Sequence, residues 1–160
     1  MVRPTVRPAQ PSDHPTIVEA LQQFWGTVIA VGHGVAYDAS TLPALLSYQD
    51  DQLTGLLTYQ ITTEGLEVVT INAVERCRGA GTALLEAAAE TGRAASAHRL
   101  WLVTTNDNLD ALRFYQRRGL RLASLAPGAV DRSRFLKPSI PLIGAYGIEI
   151  HDELTLELPL

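Results

Sequence analysis

The chain has 160 residues, 46% hydrophobic and 19% charged, with a formal net charge of −4 and one cysteine, Cys77. That balance excludes a disordered tail, leaves room for one proper core, and argues against nucleic-acid binding as the main task. The lone cysteine excludes an internal disulfide, and the four scattered histidines (His14, His33, His98, His151) give no helical ligand pair, so no metal site is expected.

Thr5-Val6-Arg7 reads as a first strand closed by Pro8. Ser12 and Asp13 offer a cap to a helix whose Ile17, Ala20, Leu21 and Phe24 recur at helical spacing, ending near Gly26. Residues 27–40 carry an extended-looking Val28-Ile29-Ala30-Val31 and a forced turn at Gly32-His33-Gly34, and are read as irregular, with His33 either a loop-tip residue or one that lines a binding pocket. Leu45–Tyr48 and Leu53–Ile61 form a hairpin around Asp50-Asp51, and Glu67–Val74 is a further strand. A helix over 79–92 presents Ala80, Ala83, Leu84, Ala87 and Ala88 as its buried stripe, and so many alanines imply close packing on a sheet. Leu100–Val103 is an apolar strand expected to be buried on both faces. Asn106 or Asp107 can cap the next helix, which ends at Gly119. Strands follow at Leu120–Leu125 and Ile148–Leu158, the latter with Ile150, Leu154, Leu156 and Leu158 in alternation. Between them lies a long connection, 127–147, with Pro138 and Pro141 to stiffen it and Phe135, Leu136, Ile140, Leu142 and Ile143 to pack it down. With no repeat or linker, the order of elements is that of one mixed α/β (α+β) domain over 1–160. No apolar run reaches a membrane span and Met1-Val2-Arg3-Pro4 does not read as a signal peptide, so a cytoplasmic protein with no membrane partner is expected.

Two stretches carry chemistry. Arg76-Cys77-Arg78-Gly79-Ala80-Gly81 closes an apolar strand and opens the Ala/Leu-rich helix. Helix N-termini present unpaired N–H groups and a positive dipole end, and glycines let a phosphate approach the main chain. The stretch lacks the Gly-Lys-Ser/Thr ending of a nucleoside-triphosphate loop, and Leu84 stands where a dinucleotide fingerprint needs its third glycine. A nicotinamide oxidoreductase fails on that residue and on the missing strand–helix alternation early in the chain. The second stretch is Asn108-Leu-Asp-Ala111-Leu-Arg-Phe114-Tyr115-Gln-Arg-Arg-Gly119-Leu120, whose Asn108, Ala111, Leu112, Tyr115 and Gly119 fall within one helical arc.

Together these stretches resemble the GNAT superfamily of acetyl-CoA-dependent N-acetyltransferases, whose pattern is (Gln/Arg)-x-x-Gly-x-(Gly/Ala) followed by Asn-x-x-Ala-x-x-Phe-Tyr-x-x-x-Gly. Arg76, Gly79 and Gly81 match the first half; Asn108, Ala111, Phe114, Tyr115 and Gly119 match the second. The resemblance implies a three-layer sandwich whose twisted, mostly antiparallel sheet of about six to seven strands is flanked by helices, with a splayed parallel pair at the cofactor site. It implies acetyl-CoA as co-substrate and a small-molecule or peptide amine as acceptor, and it allows a homodimer.

By the same resemblance Tyr115 protonates the departing CoA thiolate, and Asn108 and Ala111 contact the cofactor. The backbone of Val69, Thr70 and Ile71 polarises the thioester. The pyrophosphate sits on amides from Cys77 through Arg78, Gly79, Ala80 and Gly81 to Thr82, with Arg76 and Arg78 either adding charge or standing solvated. A phenol suits a thiolate leaving group, whose pKa is about 8.5. Glu67 is the candidate base for the amine, against a plain reading as a solvent-facing carboxylate at a strand end, with water or deprotonation in bulk as the alternative to a protein base. Cys77 is read as a small residue for a tight turn, not a nucleophile. The 127–147 connection covers the acceptor site's edge or acts as a clasp or dimer contact. The reading of another class is a non-catalytic acetyl-CoA sensor.

Overall fold

The computed structural model describes residues 2–74 and 78–160. In chain order its elements are β1 (Thr5–Pro8), α1 (His14–Trp25), β2 (Ile29–Gly32), β3 (Val35–Asp38), β4 (Ala44–Gln49), β5 (Gln52–Thr62), β6 (Gly65–Ala73), α2 (Ala80–Ala94), β7 (Arg99–Thr105), α3 (Leu109–Arg117), β8 (Arg121–Ala126), α4 (Ala129–Ser133) and β9 (Glu153–Pro159). Short 3-10 turns stand at Pro11–Asp13, Ala39–Thr41 and Ala145–Gly147. Contacts gather these into two compact units: residues up to Ala30 with Asp38–Leu100 and Leu160, and Val31–Tyr37 with Trp101–Pro159.

The first unit holds the antiparallel neighbours β1–β4, β4–β5 and β5–β6. Asp50 and Asp51 both take positive φ (49° and 60°), which gives the β4–β5 hairpin the right-handed twist its strands need. Helix α1 buries Ile17, Ala20 and Leu21 against Leu46 and Leu56, and stops where Gly26 enters the left-handed region at φ 73°. Helix α2 buries Ala80, Ala83, Leu84, Leu85, Ala88, Ala89 and Gly92. Helix α2 lies close to the sheet: a Cβ on Gly55 of β5 would stand 2.9 Å from the Leu84 side chain and 3.5 Å from the Ala80 Cβ. Leu21, Leu46, Leu56, Leu57, Leu66 and Leu84 are at most 1% exposed, each contributing roughly 2 kcal/mol of burial.

From β6 the hydrogen-bonded order passes to β7, whose first residue packs against Gly65 within the same unit. The sheet order is β1-β4-β5-β6-β7-β9-β8, mostly antiparallel with one parallel pair. Strands β6 and β7 are joined through α2, the crossover that parallel neighbours require. The fold class is thus the expected mixed α/β sheet flanked by helices.

In the second unit β9 lies between β7 and β8, and β8 is exposed along all six residues. Several expectations change here. Residues 27–40 are not irregular: β2 and β3 pair as a two-stranded sheet, because His33 (φ 40°) and Gly34 (φ 79°) close the turn between them. Strand β9 starts at Glu153 rather than Ile148, and the alternation is broken: Ile150 and Leu156 are buried, Leu154 and Leu158 only half-buried, and Glu153 is buried. The long connection is held by fewer apolar residues than expected: Phe135 is 89% exposed and Leu136, Leu142 and Ile143 are exposed too, whereas Ile140 is half-buried and Val130 buried. It is stitched by Arg134, which donates to Asp131 at 2.7 Å, to the Pro141 and Ile150 carbonyls at 2.7 Å, and to the Ile140 carbonyl at 3.3 Å. Among the described residues no helix is long and apolar enough to cross a membrane.

Candidate active site

The predicted site residues fall into both units, and each half has its own geometry. In the first unit, β6 carries a bulge. Thr70 pairs with Thr58 and Val68 with Tyr59, so Val69 has no register partner on β5. Bulges take one peptide group out of the ladder and re-aim it. The register is pinned beside the bulge by the buried pair of hydroxyls on Thr58 and Thr70, 2.6 Å apart. Val69 and Ile71 are half-buried and Thr70 is buried.

After β6 the chain reaches Gly79, the N-cap of α2, in the left-handed conformation at φ 80°. Among the described residues a Cβ there would meet only Pro4, at 4.0 Å, while the backbone angle itself demands glycine. The first intrahelical bond runs from the Ala83 N–H to the Gly79 carbonyl at 3.0 Å. Among the described residues no side chain caps this end, and no acidic residue stands in the first turn. The amides of Ala80, Gly81 and Thr82 therefore precede the helical ladder at the positive end of a 15-residue helix. Such an end fits a pyrophosphate. Arg78 is exposed; Arg76 and Cys77 lie outside the described residues.

Glu67 departs from the plain reading given to it. Strand β6 begins two residues earlier, at Gly65, and Glu67 is 2% exposed. Its carboxylate accepts the Gln60 side-chain amide at 2.7 Å from the facing position on β5.

In the second unit α3 carries the other half. Asn108 occupies the N-cap of α3 but does not cap it with its side chain; its amide donates to the Thr104 hydroxyl at 3.2 Å. Ala111 is half-buried, and Tyr115 is 8% exposed with its ring 5.5 Å from that of Phe114. Burial pushes the Tyr115 phenol up to about 12. A phenol is already protonated at neutral pH at its ordinary pKa of about 10, so this rise leaves Tyr115 protonated and makes it a weaker acid than an exposed tyrosine.

Neither Asn106 nor Asp107 caps α3 with its side chain. The Asp107 carboxylate accepts the Thr105 hydroxyl and the Ala145 N–H, the latter at 2.9 Å. The Asn106 carbonyl oxygen accepts the N–H groups of His151 and Asp152, both at 3.0 Å, and its amide donates to the Glu149 carbonyl at 2.9 Å. The entry to α3 is thus tied to residues 145–152. Sequence reading missed this because the partners are some 40 positions apart; the one local signal is a pair of amide and acid residues, Asn106-Asp107, before a helix already supplied with Asn108.

The sequence pattern of the Acetyltransferase (GNAT) family matches residues 7–120, most of the chain, and the protein belongs to that family. It is 40% identical over 136 residues to the uncharacterized protein YxbD of Bacillus subtilis (strain 168), covering 84% of this chain and 86% of the relative. The fold is similar to a Bacillus subtilis acetyltransferase crystallised with CoA (TM-score 0.68, 18% identity, 100% of this chain and 99% of the other). It is also similar to a GNAT family acetyltransferase from Elizabethkingia anophelis with acetyl-CoA bound (TM-score 0.71, 19% identity, 100% of both chains).

Proposed function

We propose that this chain, acting as one acetyltransferase domain, moves the acetyl group of acetyl-CoA to a primary amine by direct attack. The observation that carries the reading is the β6–α2 junction. A bulge at Val69 is followed, ten residues on, by a glycine-capped helix end with no acidic residue in its first turn. One feature offers a backbone donor to a developing oxyanion, the other a seat for a pyrophosphate. Family membership and the CoA and acetyl-CoA present in structures of the same fold support the co-substrate.

In this reading the backbone at Val69, Thr70 and Ile71 polarises the thioester carbonyl. The turn and first helical amides, from Cys77 to Thr82, receive the pyrophosphate, with Arg76 and Arg78 adding positive charge. Asn108 and Ala111 line the pantetheine arm. Tyr115 gives its phenolic proton to the leaving thiolate, and Glu67 takes the proton the amine must lose. The 127–147 connection bounds the acceptor side. Most of the acceleration comes from holding the two reactants together and from the aimed backbone donors.

The test is a thiol-release assay with acetyl-CoA against a panel of primary amines. At least one amine should raise CoA release above the hydrolytic background. Tyr115→Phe should then lower kcat about a hundredfold or more with acetyl-CoA affinity retained. Turnover unchanged by Tyr115→Phe removes Tyr115 from the mechanism, and no turnover with any amine leaves only cofactor binding.

A further inference from the structure

Glu153 opens β9 and is 6% exposed. Among the described residues one donor reaches its carboxylate, the backbone N–H of His33, at 3.2 and 3.3 Å from the two oxygens. A carboxylate has about four acceptor positions, so most of this group's capacity is unused. Burial raises the Glu153 carboxyl, the N–H and the charges of His33 and Arg132 opposing that rise. A buried acid so thinly partnered is costly unless something cationic joins it.

The surroundings have the right chemistry for a cation. The β2–β3 turn is seated on β7: Gly32 comes so near that a Cβ would stand 2.9 Å from the Val103 side chain. This close approach delivers His33, in a left-handed conformation (φ 40°) rare for a residue with a side chain. Its ring lies 5.2 Å from that of Trp101, itself 9% exposed, at an angle of 46°. On its other side the His33 Nε2 is 3.1 Å from the Tyr37 hydroxyl. One buried carboxylate is thus gathered with three aromatic rings, from the β2–β3 hairpin, β7 and β9.

We propose that Glu153, His33, Tyr37 and Trp101 form a recognition site for an aliphatic primary ammonium group, the carboxylate supplying the charge and the rings the cation–π faces. An ammonium brings three donors to a carboxylate with acceptor positions to spare, and aromatic faces attract it in a way they do not attract a neutral alcohol. A carboxylate or phosphate ligand would be repelled. Naming the occupant as the acetyl acceptor rests on the acetyl-transfer reading above; the ammonium site itself does not.

Trp101 is a built-in reporter. In a Trp25→Phe background it is the remaining tryptophan of the chain's two, and its emission can be followed against 1,4-diaminobutane and the neutral 1,4-butanediol. The diamine should give a saturable change and the diol none. Glu153→Gln, which keeps the shape and can still accept the His33 N–H, should weaken the diamine about tenfold or more. His33→Ala, which removes the ring but keeps the backbone donor, should weaken it about threefold. Calorimetric titration of acetyl-CoA into the same variants should give unchanged affinity. An equal response to the diol, or diamine affinity untouched by both substitutions, overturns the site. Diamine binding without acetyl-CoA binding sinks the transfer reading and leaves the site standing; acetyl-CoA binding without any diamine response does the reverse.

Discussion

Strand β6 and the N-terminal end of α2 are shaped by backbone geometry, whereas the stretch from Gly128 to Asp152 is held by side chains. At the junction the working parts are a register slip at Val69, a left-handed glycine at 79 and a run of small residues that lets α2 lie close to the sheet. In the connection the parts are a guanidinium on three carbonyls and an acid, a buried carboxylate on a distant N–H, and a histidine between two carboxylates. The first kind of construction sets main-chain groups at the positive end of a helix. The second pairs many of its polar groups internally and ties the entry of α3 to residues 145–152.

Substitutions at four positions sharpen that contrast. The largest effect is expected from Gly144→Ala. A Cβ there would overlap the Asp107 carboxylate and the Ile150 side chain. Overpacking a site that cannot relax costs about 3 kcal/mol, read as a fall in Tm and in the denaturation midpoint. A Tm within a degree of the parent would show that the Asp107 clasp is loose. Next, Glu67→Gln should lower kcat/KM about a hundredfold at neutral pH while leaving acetyl-CoA affinity intact. Activity equal to the parent would make Glu67 a structural partner of Gln60 and nothing more.

Arg134→Ala leaves the Pro141, Ile140 and Ile150 carbonyls without their donor, and should cost about 2 kcal/mol by urea titration. Arg134→Lys should recover only part of this, since one ammonium cannot span the same fork. Full recovery by lysine would argue for charge rather than geometry.

The smallest effect concerns His151. Hydrogen bonds to Asp131 and then Glu149 raise its pKa above the ordinary value of 6.5. A group whose folded pKa is raised contributes fully below its unfolded pKa and loses that contribution as pH rises through the folded one. Stability should therefore fall slightly from pH 6 upward through the His151 titration, and His151→Asn should flatten that slope. Because the pair is exposed, salt should weaken the effect. An identical pH slope in the variant would contradict the assignment.

The same contrast explains what could be read from the residues. Helix α2, its small-residue face and the glycine turn were legible because they depend on neighbours a few positions away. So were the Asp50-Asp51 hairpin and the stop at Gly26. The β2–β3 hairpin was not, because His33, not only a glycine, takes positive φ in its turn. The burial of Glu67 depends on Gln60 across the strand pair, and the burial of Glu153 on a backbone N–H 120 positions away. Polar residues buried through distant partners look like surface residues in a sequence. The apolar residues of the connection mislead in the opposite sense: Phe135 looks like an anchor and is 89% exposed, while the anchor is Arg134.

The central claim, that the N-terminal turn of α2 seats the pyrophosphate of acetyl-CoA, is tested most directly by calorimetric titration of acetyl-CoA into the parent protein and Gly81→Glu at one fixed salt concentration. The account predicts a Kd of about micromolar for the parent and at least tenfold weaker binding for the variant, whose carboxylate stands among the first helical amides. No binding up to millimolar concentrations, or equal affinity in the two proteins, would contradict it.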